Sequence, residues 1–146
     1  MYAAVGSYIA RIWRIFHFCF DHYPPAWTGM VLALLIYINF FAHHWLTDIR
    51  VGLFALTIAL FWRTSVTFTV HREQRSMPLL LGWGLVALFI WFAENIGTFS
   101  NAWLYPAQRA GWAMVSPAKF GSWYLLMILS FVLVRTVQRE GPHSSR

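Results

Sequence analysis

Residues 79–98 read LLLGWGLVALFIWFAENIGT, and the first ionisable side chain in that run is Glu94. About 20 apolar residues in a helix suffice to cross a hydrocarbon core about 30 Å thick. Pro78 precedes the run, where a missing amide proton costs little because first-turn amides lack partners. Residues 79–98 therefore read as a membrane span.

Working outward, three further stretches have the same character. Residues 26–46 follow Pro24-Pro25, residues 51–70 contain Arg63, and residues 120–137 end in Arg135, with Arg139 just beyond. The expectation is an all-α fold, a polytopic transmembrane helical bundle of about four spans. Residues 2–20 place Arg11 and Arg14 among Trp13, Ile15, Phe16 and Phe18. They read as an N-terminal amphipathic helix or a partial span. The loop 99–118 holds Trp103, Tyr105, Trp112 and two prolines, and reads as an aromatic cap in the interface. Residues 1–140 form a single integral-membrane domain, and 141–146 a disordered polar tail.

Composition agrees. Of the 146 residues, 59% are hydrophobic and 11% charged, against about 25% charged in ordinary soluble domains. A chain this short has too small an interior to hide such a surplus. The net charge is +6, but the basic residues are scattered between apolar runs. That pattern favours topology signals and membrane lipids as partners, and no nucleic acid is expected. With the N-terminus inside, Arg11, Arg14, Arg72, Arg75, Arg135, Arg139 and Arg146 face inward, against Arg50, Arg109 and Lys119 outside. Both termini are then cytoplasmic. No cleavable signal peptide is evident. The single Cys19 excludes an internal disulfide and reads as a small apolar packing residue.

Ionisable groups inside spans are costly and usually face protein or water. Arg63 is one such group, either meeting an anionic headgroup or substrate, or paired with a carboxylate. Asn39, His43, His44, Asp48, Glu94 and Asn95 fall at the outer ends of their spans and suggest a polar vestibule. The vestibule could handle a proton or small ligand through a His–carboxylate pair. The favoured reading of these positions is an interfacial ring that fixes helix depth and packing. A divalent ion on His43, His44, Asp48 and Glu94 is a third reading. It is disfavoured because adjacent histidines point about 100° apart on a helix, so no metal is assigned. No phosphate loop, nucleophile elbow, zinc-protease helix or dinucleotide fingerprint occurs, and no cofactor is expected.

Several strings are distinctive in combination. They are Asn39-Phe40-Phe41-Ala42-His43-His44, Met77-Pro78-Leu79-Leu80-Leu81, Trp91 to Thr98, Ala102-Trp103-Leu104-Tyr105-Pro106 and Gly121 to Met127. Together they resemble the bacterial membrane-protein family catalogued as domain of unknown function 817, also called YoaT-like, over most of the chain. The resemblance implies a polytopic protein of the bacterial inner membrane with no assigned activity. Family members are longer, which implies a truncated member here. Functional expectations follow from the retained polar residues. The first is transport or binding of a small ligand or lipid. Alternatives are a membrane enzyme acting on a lipid or isoprenoid, and a non-catalytic subunit or scaffold. A homo-oligomer or a membrane partner is compatible with each.

Overall fold

A computed structural model describes residues 2–16, 18–42, 48–70, 73–108 and 111–139. Among these residues the chain forms five α-helices and one three-stranded antiparallel sheet. The expected four-span all-α bundle is therefore incorrect, and among the described residues only two helices are long and apolar enough to cross a membrane.

Helix α1, Tyr2–Ile15, is amphipathic. Val5, Ile9 and Trp13 recur every fourth residue and pack inward, whereas Arg11 and Arg14 are exposed. Strand β1, Phe18–Asp21, alternates, with Phe18 and Phe20 half-buried. Cys19 lies exposed on its outer face rather than in packing. Helix α2, Ala26–Ala42, is closed at its start by Thr28, whose hydroxyl donates to Pro25 O at 2.7 Å. Its buried stripe is Gly29, Leu32, Ala33, Ile36 and Asn39.

The largest departure lies in residues 51–70. Helix α3, Arg50–Phe61, has only 12 residues, about 18 Å of rise. The chain then turns at Thr64, whose hydroxyl donates to His22 O, and enters strand β2, Ser65–Val70. The physical reason is local. Ser65, Thr67 and Thr69 alternate with Val66, Phe68 and Val70, a period of two rich in β-branched residues. Strand β2 is central, pairing with β1 and with β3, Glu73–Pro78. Its register sets Cys19 opposite Thr67, and Thr67 opposite Ser76. Arg63 is accordingly an exposed turn residue, outside any span.

Helices α4, Leu79–Phe99, and α5, Pro117–Arg139, are the two long apolar helices. At 21 and 23 residues they measure about 31 and 35 Å. Helix α5 is central to the helical packing, with α1, α2 and α4 all against it. Trp83 of α4 is enclosed edge-on by Phe61 and Phe131, with ring centroids 4.9 and 5.2 Å away. Opposite its packed stripe, α4 exposes Leu81, Leu85, Phe89, Phe92, Ile96 and Phe99.

Candidate functional site around Glu94

The buried face of α4 runs through Leu79, Trp83, Ala87, Glu94, Gly97 and Thr98. This is the stripe that meets α5, so Glu94 occupies a position where helix packing calls for an apolar residue. Its side chain is 1% exposed. The Tyr105 hydroxyl donates to Glu94 Oε2 at 2.8 Å. Among the described residues nothing hydrogen-bonds Oε1. A buried polar atom left without a partner costs about 1–3 kcal/mol, so the arrangement requires an explanation.

Glu94 lines a cavity of about 430 Å³. Phe40 of α2, Trp103 and Tyr105 of the connecting loop, and Lys119, Ser122, Trp123 and Leu126 of α5 complete its wall. The Lys119 ammonium stands 2.7 Å from the centroid of the Tyr105 ring, an attraction of cation and ring quadrupole. One aromatic residue thus touches both groups, the Glu94 carboxyl through its hydroxyl and the Lys119 ammonium through its face.

The loop that carries Tyr105 is fastened to α4. Asn95 accepts from Val115 N at 3.0 Å and donates to Trp91 O at 2.9 Å. Trp91 Nε1 donates to Val115 O at 3.1 Å, and Trp112 Nε1 to Thr98 Oγ1 at 3.2 Å. Trp103 lies against Gly97, where a Cβ would come within 2.3 Å of the indole. Any side chain there displaces the ring, which is why glycine is needed. Gln108 closes the 3₁₀ turn Pro106–Gln108 by accepting from Tyr105 N. Asn95 is thus a loop fastener rather than a cavity residue.

A second polar group adjoins the cavity. Asn39 donates to Asp48 Oδ1 at 3.4 Å and accepts from Ile49 N at 3.0 Å. Asp48 accepts from both Arg50 N and Arg50 Nε, and Arg50 reaches Ser122 Oγ at 3.2 Å. Ser122 is shared with the cavity wall. The Arg50 hydrogen bond, aided by those of the Arg50 amide and Asn39, holds the Asp48 carboxyl at about 2, below its usual range.

Of the polar residues expected in a vestibule, Asn39 and Asp48 are joined directly, Glu94 stands across Ser122 from them, and Asn95 serves the loop. Arg63 is remote. Thr64 O accepts from Leu79 N at the start of α4, and Glu94 is fifteen residues further on, about 22 Å along the axis. His43 and His44 lie outside the described residues, and with them the metal reading. Tyr105 and Lys119 were not singled out from sequence as cavity residues. The signal that could have found them is the one tyrosine of the segment 100–116 and the chain's one lysine, in the first turn of the helix that packs against the Glu94 stripe.

Comparison with known proteins gives a family. The profile described as "Protein of unknown function (DUF817)" matches residues 1–131. "Uncharacterized protein YoaT" of Bacillus subtilis (strain 168) is 43% identical over 144 residues, covering 99% of this chain and 54% of the relative. The chain therefore spans about half the length of that curated relative. No solved structure matches. On these matches the chain belongs to the DUF817 family.

Proposed function

We propose that the chain is part of a multi-pass inner-membrane protein that binds a small polar ligand, for passage or delivery, in the Glu94 cavity. The observation that carries this reading is the Glu94 carboxylate, with one oxygen held by Tyr105 and the other without a hydrogen bond. A ligand donor arriving in the cavity supplies the missing bond. Lys119 offers the complementary charge for an acceptor on the same ligand.

The membrane part of the reading rests on α4 and α5. Both are long enough to cross, and the outward stripe of α4, from Leu81 to Phe99, is of the size and apolarity that lipid or another membrane helix covers. Arg72 and Arg75 precede α4, and Arg135, Arg139 and Arg146 end or follow α5, while Arg109 lies in the segment joining the two helices and Lys119 in the first turn of α5. By the positive-inside rule the sheet end faces the cytoplasm and the cavity the opposite side. Both termini are then cytoplasmic.

Mass-spectrometric analysis of small molecules and lipids retained by protein purified in mild detergent tests the reading. Wild type retains a stoichiometric small molecule, and Glu94→Gln loses it while reaching the membrane in equal amount. Equal retention by both proteins contradicts the proposal. Failure of both Glu94→Gln and Glu94→Asp to insert makes Glu94 a structural residue instead.

A further inference from the structure

The other end of α5 carries a second cleft, of about 370 Å³, between the start of α2 and the last turns of α5. Its wall has two chemically distinct parts. One is Arg135, whose guanidinium carbon stands 3.2 Å from the Tyr23 ring centroid and 5.2 Å from that of Phe20. Rings cover the flat faces of a guanidinium; the Tyr23 hydroxyl accepts one of its N–H donors, and the other in-plane donors are left for an acceptor. Among the described residues no carboxylate lies within ion-pair distance of Arg135. The two ion pairs there are Arg50–Asp48 and Arg75–Glu73. The other part is apolar and comprises Trp27, Met30 and Val132. Thr136 turns its hydroxyl back to Val132 O and toward the Met30 sulfur, so it adds no charge.

A guanidinium with no carboxylate partner among the described residues, beside an apolar wall, matches a ligand with an anionic head and an apolar body. Trp27 is largely exposed, as a tryptophan is at a bilayer interface. The cleft also lies at the sheet end, the end with the basic excess. We propose that this cleft binds the phosphate of an anionic phospholipid at Arg135, with the glycerol and first acyl carbons against Trp27, Met30 and Val132. Free phosphate shares the chemistry of Arg135 but makes no use of the apolar wall. The assignment is independent of any ligand in the Glu94 cavity.

The test uses the full chain in nonionic detergent, titrated with dihexanoyl phosphatidylglycerol and read by native mass spectrometry. Dihexanoyl phosphatidylcholine and inorganic phosphate are titrated in parallel. The expected result is one saturable phosphatidylglycerol adduct that phosphatidylcholine matches poorly. Arg135→Gln weakens it about tenfold, the loss expected for a charge-assisted contact. Arg75→Gln, on exposed β3, leaves it unchanged. Trp27→Ala weakens the lipid by a smaller factor and leaves phosphate binding as it was. Equal losses in Arg135→Gln and Arg75→Gln overturn the proposal in favour of diffuse surface attraction. Displacement of the lipid by inorganic phosphate at comparable concentration overturns it in favour of a free-phosphate site. If Arg135→Gln does not fold, Trp27→Ala decides, and an unchanged lipid affinity there refutes the cleft.

Discussion

Glu94 and Tyr105 form the pair on which the cavity depends, and their energetics can be separated. Tyr105→Phe removes the only donor on the carboxylate among the described residues and leaves both oxygens unsatisfied. Destabilisation of about 1–3 kcal/mol is expected, measured by chemical unfolding in detergent. Combining it with Glu94→Leu should recover most of that loss, because no buried acceptor then remains to be satisfied. Asp48 gives a residue-scale pH dependence. Its folded pKa is depressed to about 2 from an ordinary 3.8. Its contribution is therefore fully present above about pH 4 and fades as pH falls through about 2. The pair is 39% exposed on both sides, so its worth stays below about 1 kcal/mol. Asp48→Asn should flatten the stability profile in that window alone, as read by unfolding midpoints against pH.

At the scale of elements, the sheet is what distinguishes this fold from a simple bundle. The register that sets Cys19 opposite Thr67 allows a direct check. Directly opposed residues of antiparallel strands have Cα atoms about 4.5–5.5 Å apart, within the range a disulfide spans. Thr67→Cys should therefore cross-link to native Cys19 under mild oxidation, seen as a mobility shift that reductant reverses. Ser65→Cys, opposite Asp21, should not. Were residues 51–70 one continuous helix, neither variant would cross-link selectively.

Element by element, the apolar runs from Ala26, Leu79 and Phe120 were legible because run length and hydrophobicity, and the prolines before the first two, are local signals. Residues 65–70 were not, since bulk apolarity does not separate a short buried strand from half a helix. Only the alternation of Thr and Val carried that information. The same logic applies to the site. Glu94 stood out as an ionisable residue in an apolar run. Tyr105 and Lys119 did not, because Tyr105 sits on the connecting loop and Lys119 on the next helix, and no helical period connects either to Glu94. Arg63 shows the reverse failure, in which a charge looked buried only because the helix was drawn too long.

The molecule as a whole has two unlike ends joined by α4 and α5. At one end lies the cavity with its buried carboxylate, roofed by a loop pinned through Asn95, Thr98 and Gly97. At the other lie the sheet, the basic excess and the Arg135 cleft. The proposed ligand handling belongs to the first end and the proposed lipid anchorage to the second. The central claim is that Glu94 faces an accessible, apolar-walled cavity rather than a sealed core. Carbodiimide labelling of the protein in membranes, followed by peptide mass spectrometry, tests this most directly. Both a hydrophobic and a water-soluble carbodiimide should modify Glu94, the water-soluble one more slowly than it modifies the exposed Glu73. Failure of either reagent to reach Glu94, or labelling by the water-soluble reagent as fast as Glu73, would contradict the account.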